Sequence, residues 1–158
     1  MEKENVNQKG VKNEVVNCEF VDLGLSVKWG NMNVGAKKVN ENGEYFAWNE
    51  VKCDEGRLPS EYEMKELIEK CIWEWVCIDG VKGYMVKSKE NSMSQIFLPA
   101  AGVMCGDKLY YVGEMGYYLS STIGEKNLGA CELIMSSKYY GMYLAGSYKR
   151  SVRLVLDK

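Results

Sequence analysis

Several kinds of chemistry are closed to this 158-residue chain by what it lacks. It contains no histidine, so neither a Ser-His-Asp nor a Cys-His nucleophile system can be assembled from it. The six cysteines, Cys18, Cys53, Cys71, Cys77, Cys105 and Cys131, show no C-x-x-C spacing. Without that spacing, and without histidine, no zinc ligand pattern remains. Scattered reduced thiols are the favoured reading, with a disulfide framework as the alternative. Aspartate and glutamate total 22, yet no pair stands in a context that marks a general acid and base. There is no glycine-rich loop to cradle a phosphate, and Asp54-Glu55-Gly56 lacks the alternating oxygen ligands of a calcium loop. The expectation is a protein with no catalytic residues, no metal site and no cofactor.

Tyrosine is the concentrated feature. Eight of the eleven lie in the last third, at Tyr110, Tyr111, Tyr117, Tyr118, Tyr139, Tyr140, Tyr143 and Tyr148. Tyr117 and Tyr118 fall inside an apolar stretch and read as half-buried strand residues. Tyr139, Tyr140, Tyr143 and Tyr148 alternate with serine, glycine and lysine, which predicts exposure. That mixture suits an adaptable contact surface, because tyrosine supplies contact area while serine and glycine supply freedom. It equally describes an ordinary solvated sheet face.

The elements that would carry these residues are mostly strands. Short apolar stretches at 19–22 and 27–33, the aromatic "GEYFAWNE" at 43–50, and the segments after residue 71 all read as β, punctuated by turns. Sixteen glycines against two prolines fit many tight turns, and Asp79-Gly80 is a hairpin signal. One helix interrupts this pattern. Ser60 can cap it, with Glu63 three residues on to complete a capping box, and Pro59 keeps Leu58 extended. Met64, Leu67, Ile68 and Cys71 then share one face, so the helix must lie on something. A single amphipathic helix among strands predicts an α+β domain.

Composition bounds the rest. Apolar residues are 46% and charged residues 27%, with a formal charge of −2 that gives no electrostatic reason to expect nucleic acid. Towards the C-terminus Lys138, Lys149, Arg150, Arg153 and Lys158 face only Asp157, and this basic excess reads as solvated surface. No apolar run approaches membrane-spanning length, so no membrane insertion is expected. Residues 1–17 are polar throughout and read as a flexible tail ahead of one domain over 18–158. That opening does not read as a secretory leader. The compartment is therefore either the cytoplasm, or the cell surface or exterior if an export signal has been removed.

Eight blocks in order resemble the Fibrobacter succinogenes major paralogous domain family, common in gut Bacteroidetes. They are "VDLGLSVKWGNMNVGA" (21–36), "GEYFAWNE" (43–50), "RLPSEYEMKEL" (57–67), "CIWEW" (71–75), "GVKGYMV" (80–86), "IFLPAAG" (96–102), "GYYLSS" (116–121) and "SVRLV" (151–155). The helix start and the closing block also resemble formylglycine-generating-enzyme-like proteins, which belong to the C-type lectin fold. The resemblance implies a compact C-type-lectin-like domain, with short antiparallel strands, one or two helices, and terminal strands that pair with each other. It does not carry the oxidase chemistry, since only Cys131 stands where a cysteine pair is required. Nor does it carry calcium-dependent sugar binding, whose E-P-N or Q-P-D and W-N-D motifs are missing in place. The family's common cysteine is replaced here by Met32, so its disulfide to Cys71 cannot form.

The resemblance extends to the variable proteins of diversity-generating retroelements, which present a lectin-fold face to changing ligands. Glu125, Lys126, Lys138, Met142 and Lys149 cannot arise from AAC codons by adenine diversification, so the chain reads as a fixed relative that uses the same face. The expected function is a non-enzymatic, calcium-independent binding or adhesion module. Its partner would be a glycan or a bacterial-surface protein, and the domain itself a monomer. The ligand-binding residues would be Ile123, Glu125, Asn127, Lys138, Tyr139, Tyr140, Tyr143 and Tyr148. A structural cell-surface module without a discrete ligand is the alternative, and a formylglycine-generating-type enzyme comes third.

Overall fold

The computed structural model describes residues 18–123 and 130–158. The 1–17 tail, Glu125, Lys126 and Asn127 lie outside the described residues. Within them the chain forms eleven strands and one helix, and every pairing between named strands is antiparallel.

Strands β1 (Phe20–Val21) and β2 (Val27–Gly30) form one sheet with β11 (Val155–Asp157), which pairs with β2 so that Val155 faces Trp29. The first and last strands of the described chain thus share one sheet, each paired to β2. A second sheet joins β3 (Cys71–Ile78), β4 (Val81–Ser88) and β5 (Gln95–Pro99). Its first hairpin turns at Asp79 and Gly80, with φ of 49° and 85°, the left-handed pair that a two-residue type I′ turn demands. A short hairpin of β6 (Val103–Cys105) and β7 (Lys108–Tyr110) leads to the third sheet, β8 (Met115–Ile123), β9 (Ala130–Ser136) and β10 (Tyr139–Leu144), with β9 in the middle.

Helix α1 (Glu61–Lys70) starts as its sequence predicts. Glu63 N donates to Ser60 Oγ at 3.1 Å, and Ser60 N donates to Glu63 Oε1 at 2.9 Å. Met64 and Leu67 are buried and Ile68 partly so, while Cys71, also buried, begins β3 instead of extending the helix. The stripe packs across β8, β9, β10 and β3. Polar contacts fix the helix in place. Ser26 donates from both its backbone N and its hydroxyl to the Glu66 carboxylate, and Arg57 forks onto Glu63 while also reaching Asp157 on β11.

The C-terminal segment leading into β11 is the hub of the molecule. Lys149 exchanges backbone hydrogen bonds with Met104, Arg150 with Phe46, and Val155 with Arg57. Ser151 bonds to Tyr117 and Leu119 of β8, while Val152 O and Leu154 O accept from Val34 and Gly30. Arg153 lies fully buried at its centre, donating to Gly30 O, Phe97 O and Asn33 Oδ1. Asn33 in turn donates to the Tyr118 hydroxyl, which donates to Pro99 O. Amide and hydroxyl groups thus tie three parts of the fold to one buried guanidinium, which meets oxygen dipoles instead of a carboxylate.

Three expectations are corrected. Residues 43–50 do not form a strand beyond the single Phe46–Arg150 bridge, because Ala47 and Glu50 close a turn: Glu50 N donates to Ala47 O and Ala47 N to the Glu50 carboxylate. The strand expected over 27–33 ends at Gly30, whose carbonyl is taken by Arg153. The C-terminal cations are not all solvated surface either, since Arg150 and Arg153 are among the largest fully buried side chains.

Candidate functional site

Alternation along the third sheet decides which tyrosines meet solvent. Residues opposite each other in the ladder share a face. One face therefore carries three rows: Met115, Ser136 and Tyr139; Tyr117, Ile134 and Gly141; and Leu119, Glu132 and Tyr143. The other face carries Tyr118, Leu133, Met135, Tyr140 and Met142, which pack into the main core beneath α1.

The expected exposure of Tyr140 is therefore corrected. Its ring stacks on Trp73 with centroids 4.3 Å apart and planes 7° from parallel, and it meets Tyr84 edge-on at 5.1 Å. The reason is parity: Tyr140 shares the inward face with Met142. Tyr139 and Tyr143 point the other way and stay open, 46% and 48% exposed. Four residues of strand set them roughly 13 Å apart. The Tyr143 ring lies over Gly141, where an ideal Cβ would approach it to 3.5 Å. Lys138 is exposed in the β9–β10 turn beside Tyr139. Ile123 is exposed at the opposite end of the sheet, paired with Ala130. The structure thus brings Lys138 and Tyr139 together, sets Tyr143 further along the same face, and places Ile123 at its far end.

Tyr148 is also corrected from exposed to half-buried. It edges onto Tyr117 with ring centroids 5.7 Å apart, its hydroxyl donates to Glu132 Oε2 at 3.1 Å, and the Arg150 guanidinium sits 4.6 Å from its ring centroid. Arg150 Nε stands 2.9 Å from Glu132 Oε1, an ion pair outside good hydrogen-bond alignment, and Arg150 Nη2 donates to Gly146 O. Both charged side chains are essentially sealed from water. Burial pushes the Glu132 carboxyl up to about 7, outweighing the opposing pull of Arg150 and of the Tyr148 hydroxyl. Burial likewise raises Tyr117 to about 12. Glu132 is not among the residues singled out from the sequence, although a lone acid inside "ACELIMS" is the signal that could have found it.

Two clefts flank this face. One, of about 430 Å³, is lined by Tyr139, Lys138, Ser136, Glu114, Trp75 and Lys82 among others. The other, of about 500 Å³, lies between the 47–49 turn and residues 145–150. Leu109, Tyr110, Tyr111 and Val112 add a run of exposed apolar side chains on and after β7.

The thiols are all free. Cys71 is buried, and its thiol is pushed up to about 11 by desolvation. Cys131 is buried too, and raised by desolvation with Glu61 nearby. Raised thiols are poor nucleophiles at neutral pH. Among the described residues no group of three or more His, Cys, Asp or Glu side chains could hold a metal ion. No helix among them is long and apolar enough to cross a membrane.

Comparison of the chain with protein-family models, with curated proteins and with solved structures gave no match. What is established is therefore the class: mostly antiparallel strands with one short helix.

Proposed function

We propose that the chain is a non-enzymatic binding or adhesion module of C-type-lectin-like fold, whose contact surface is the open face of the third sheet. The observation that carries this reading is the pair Tyr139 and Tyr143. Both are large, half-exposed aromatics with no ring partner among the described residues, on the strand β10 edge of the face that turns away from the main core, and Tyr139 borders a cleft. Exposed aromatics on one face beside a groove suit a contact surface, since tyrosines buried by a partner are common binding hot spots. The ordered sequence blocks and a sheet that holds both β1 and β11 against β2 support the lectin-like fold. Absent histidine and raised, buried thiols support a non-enzymatic role.

The partner class is a glycan or a bacterial-surface protein, bound without calcium. An array of glycans and surface proteins, probed with the wild type, Tyr139→Ala and Tyr143→Ala with and without EDTA, tests this. Binding should survive the chelator and weaken roughly tenfold or more in at least one variant. Loss of every partner in EDTA, or wild-type binding by both variants, would hand the surface to the structural-module reading.

A further inference from the structure

The second cleft carries features that neither the fold nor the sheet face requires. Trp48, at the tip of the 47–50 turn, is 46% exposed with no ring contact among the described residues, unlike Trp29, which is buried in the core, and Trp73 and Trp75, which pack against Tyr84. Across from it runs the segment carrying Ser147, Tyr148 and Lys149, with Ala130, Ala145 and Gly146 also lining the cleft. The Tyr148 ring is held against the space above Gly146, where a Cβ would come within 2.6 Å of it. It is fixed there by Glu132, Arg150 and Tyr117. One wall is therefore rigid and aromatic. The other offers an open indole beside the Asn49 side chain. Both Asn49 and Ser147 are solvent-exposed, and their side chains make no hydrogen bond among the described residues.

The two cations lining this cleft already have partners. Lys149 Nζ lies 3.4 Å from Glu50, and Arg150 is paired with Glu132. Among the described residues that line it, Lys149 already has a carboxylate partner, Arg150 is essentially sealed from water against Glu132, and no acid is present to hold an ammonium group. A cleft of about 500 Å³ is within the ordinary range for small ligands. Flat aromatic surface, an amide, a hydroxyl and cations that already have partners together suit a ligand with one apolar C–H face and a rim of hydroxyls.

We propose that this cleft is a binding site for a single neutral sugar ring, which lies on Trp48 and hydrogen-bonds to Asn49 and Ser147. This rests on the ligand-binding reading above and adds the ligand's class and its place, apart from Tyr139 and Tyr143.

The test is titration of the ¹⁵N-labelled chain with neutral methyl glycosides (glucoside, galactoside, mannoside and fucoside), with glucuronate as the charged control. The four indole N–H signals are followed. At least one neutral glycoside should move the Trp48 signal saturably, with the other three indoles unmoved. Trp48→Ala should weaken that binding at least tenfold, as followed by the Ser147 and Gly146 amides, and Asn49→Ala should weaken it several-fold. Tyr139→Ala and Tyr143→Ala should leave it unchanged. If no neutral glycoside moves Trp48, if binding survives Trp48→Ala, or if glucuronate binds more tightly than every neutral sugar, the site is not what is proposed. Failure here with array binding still sensitive to Tyr139 or Tyr143 overturns only the cleft. Sugar binding with those two residues irrelevant overturns only the sheet face.

Discussion

The assignment of the tyrosines to core or contact surface rests on strand parity, and substitution tests it directly. Removing Tyr140 to alanine takes away a ring stacked 4.3 Å from Trp73 and edge-on to Tyr84. Half-burial of an aromatic side chain removes on the order of 100 Å² from water, about 2.5 kcal/mol at ~25 cal/mol per Å². Loss of the ring pairing adds about 0.5–1 kcal/mol, so Tyr140→Ala should cost about 3 kcal/mol. Tyr139→Ala, on the open face with no ring contact, should stay within about 0.5 kcal/mol. Urea unfolding followed by far-UV circular dichroism is the suitable assay, because fluorescence would report the change beside Trp73 itself. Equal small losses from both substitutions would mean that the Trp73–Tyr84–Tyr140 cluster adds nothing, and Tyr140 would return to the candidate contact residues. A large loss from Tyr139→Ala would refute the parity argument altogether.

Leu67→Ala, at a position with no exposed surface, should cost about 2–5 kcal/mol, against about 1 kcal/mol for Ser60→Ala, which removes one half of the capping box. Equal small losses in urea melts would mean α1 is not anchored to the sheet. Stability should also fall as pH rises from about 4.5 to above 7. Over that window folded Glu132, raised to about 7, keeps a proton that the unfolded chain has released, a difference of about 3 kcal/mol at most. With no histidine in the chain, Glu132→Gln should flatten that slope in melts at pH 5, 6, 7 and 8, and an unchanged slope would place the titrating group elsewhere.

Local signals are the legible ones in this chain. Ser60, Glu63 and the stripe Met64–Leu67–Ile68 specify a helix through contacts within four residues, and Asp79-Gly80 specifies its turn through its own backbone angles. The features that mislead depend on partners far away along the chain. Phe46 looks like part of a strand because it is aromatic, but its neighbours are turned by Glu50 and its one bridge is to Arg150, more than a hundred residues on. Arg150 and Arg153 look like solvated cations because charge is usually outside. Their partners, Glu132 for one and the carbonyls of Gly30 and Phe97 for the other, are set only by the folded topology.

Composition hides a division within the candidate surface that alternation makes visible. In "KYYGMYL" one parity holds Tyr140, Met142 and Leu144, the other Tyr139, Gly141 and Tyr143. Met142 marks its parity as the buried one, although Leu144 at the strand's end is 55% exposed, and that is enough to separate Tyr140 from its two neighbours. The same test cannot reach Tyr148, which lies in no strand and owes its burial to Glu132, Arg150 and Tyr117. Nor can it reach Trp48, whose indole is left open by a turn that the aromatic run disguises as a strand. A lone charge within an apolar strand, as in "ACELIMS" and "SVRLVL", is the sign that such tertiary partners must exist, since an isolated charge cannot be buried without them. In this chain those two residues, Glu132 and Arg153, lie buried on the sheet face that carries Tyr143 and at the centre of the hub respectively. The sequence signal with the least local meaning therefore marks where the candidate surface is held in place.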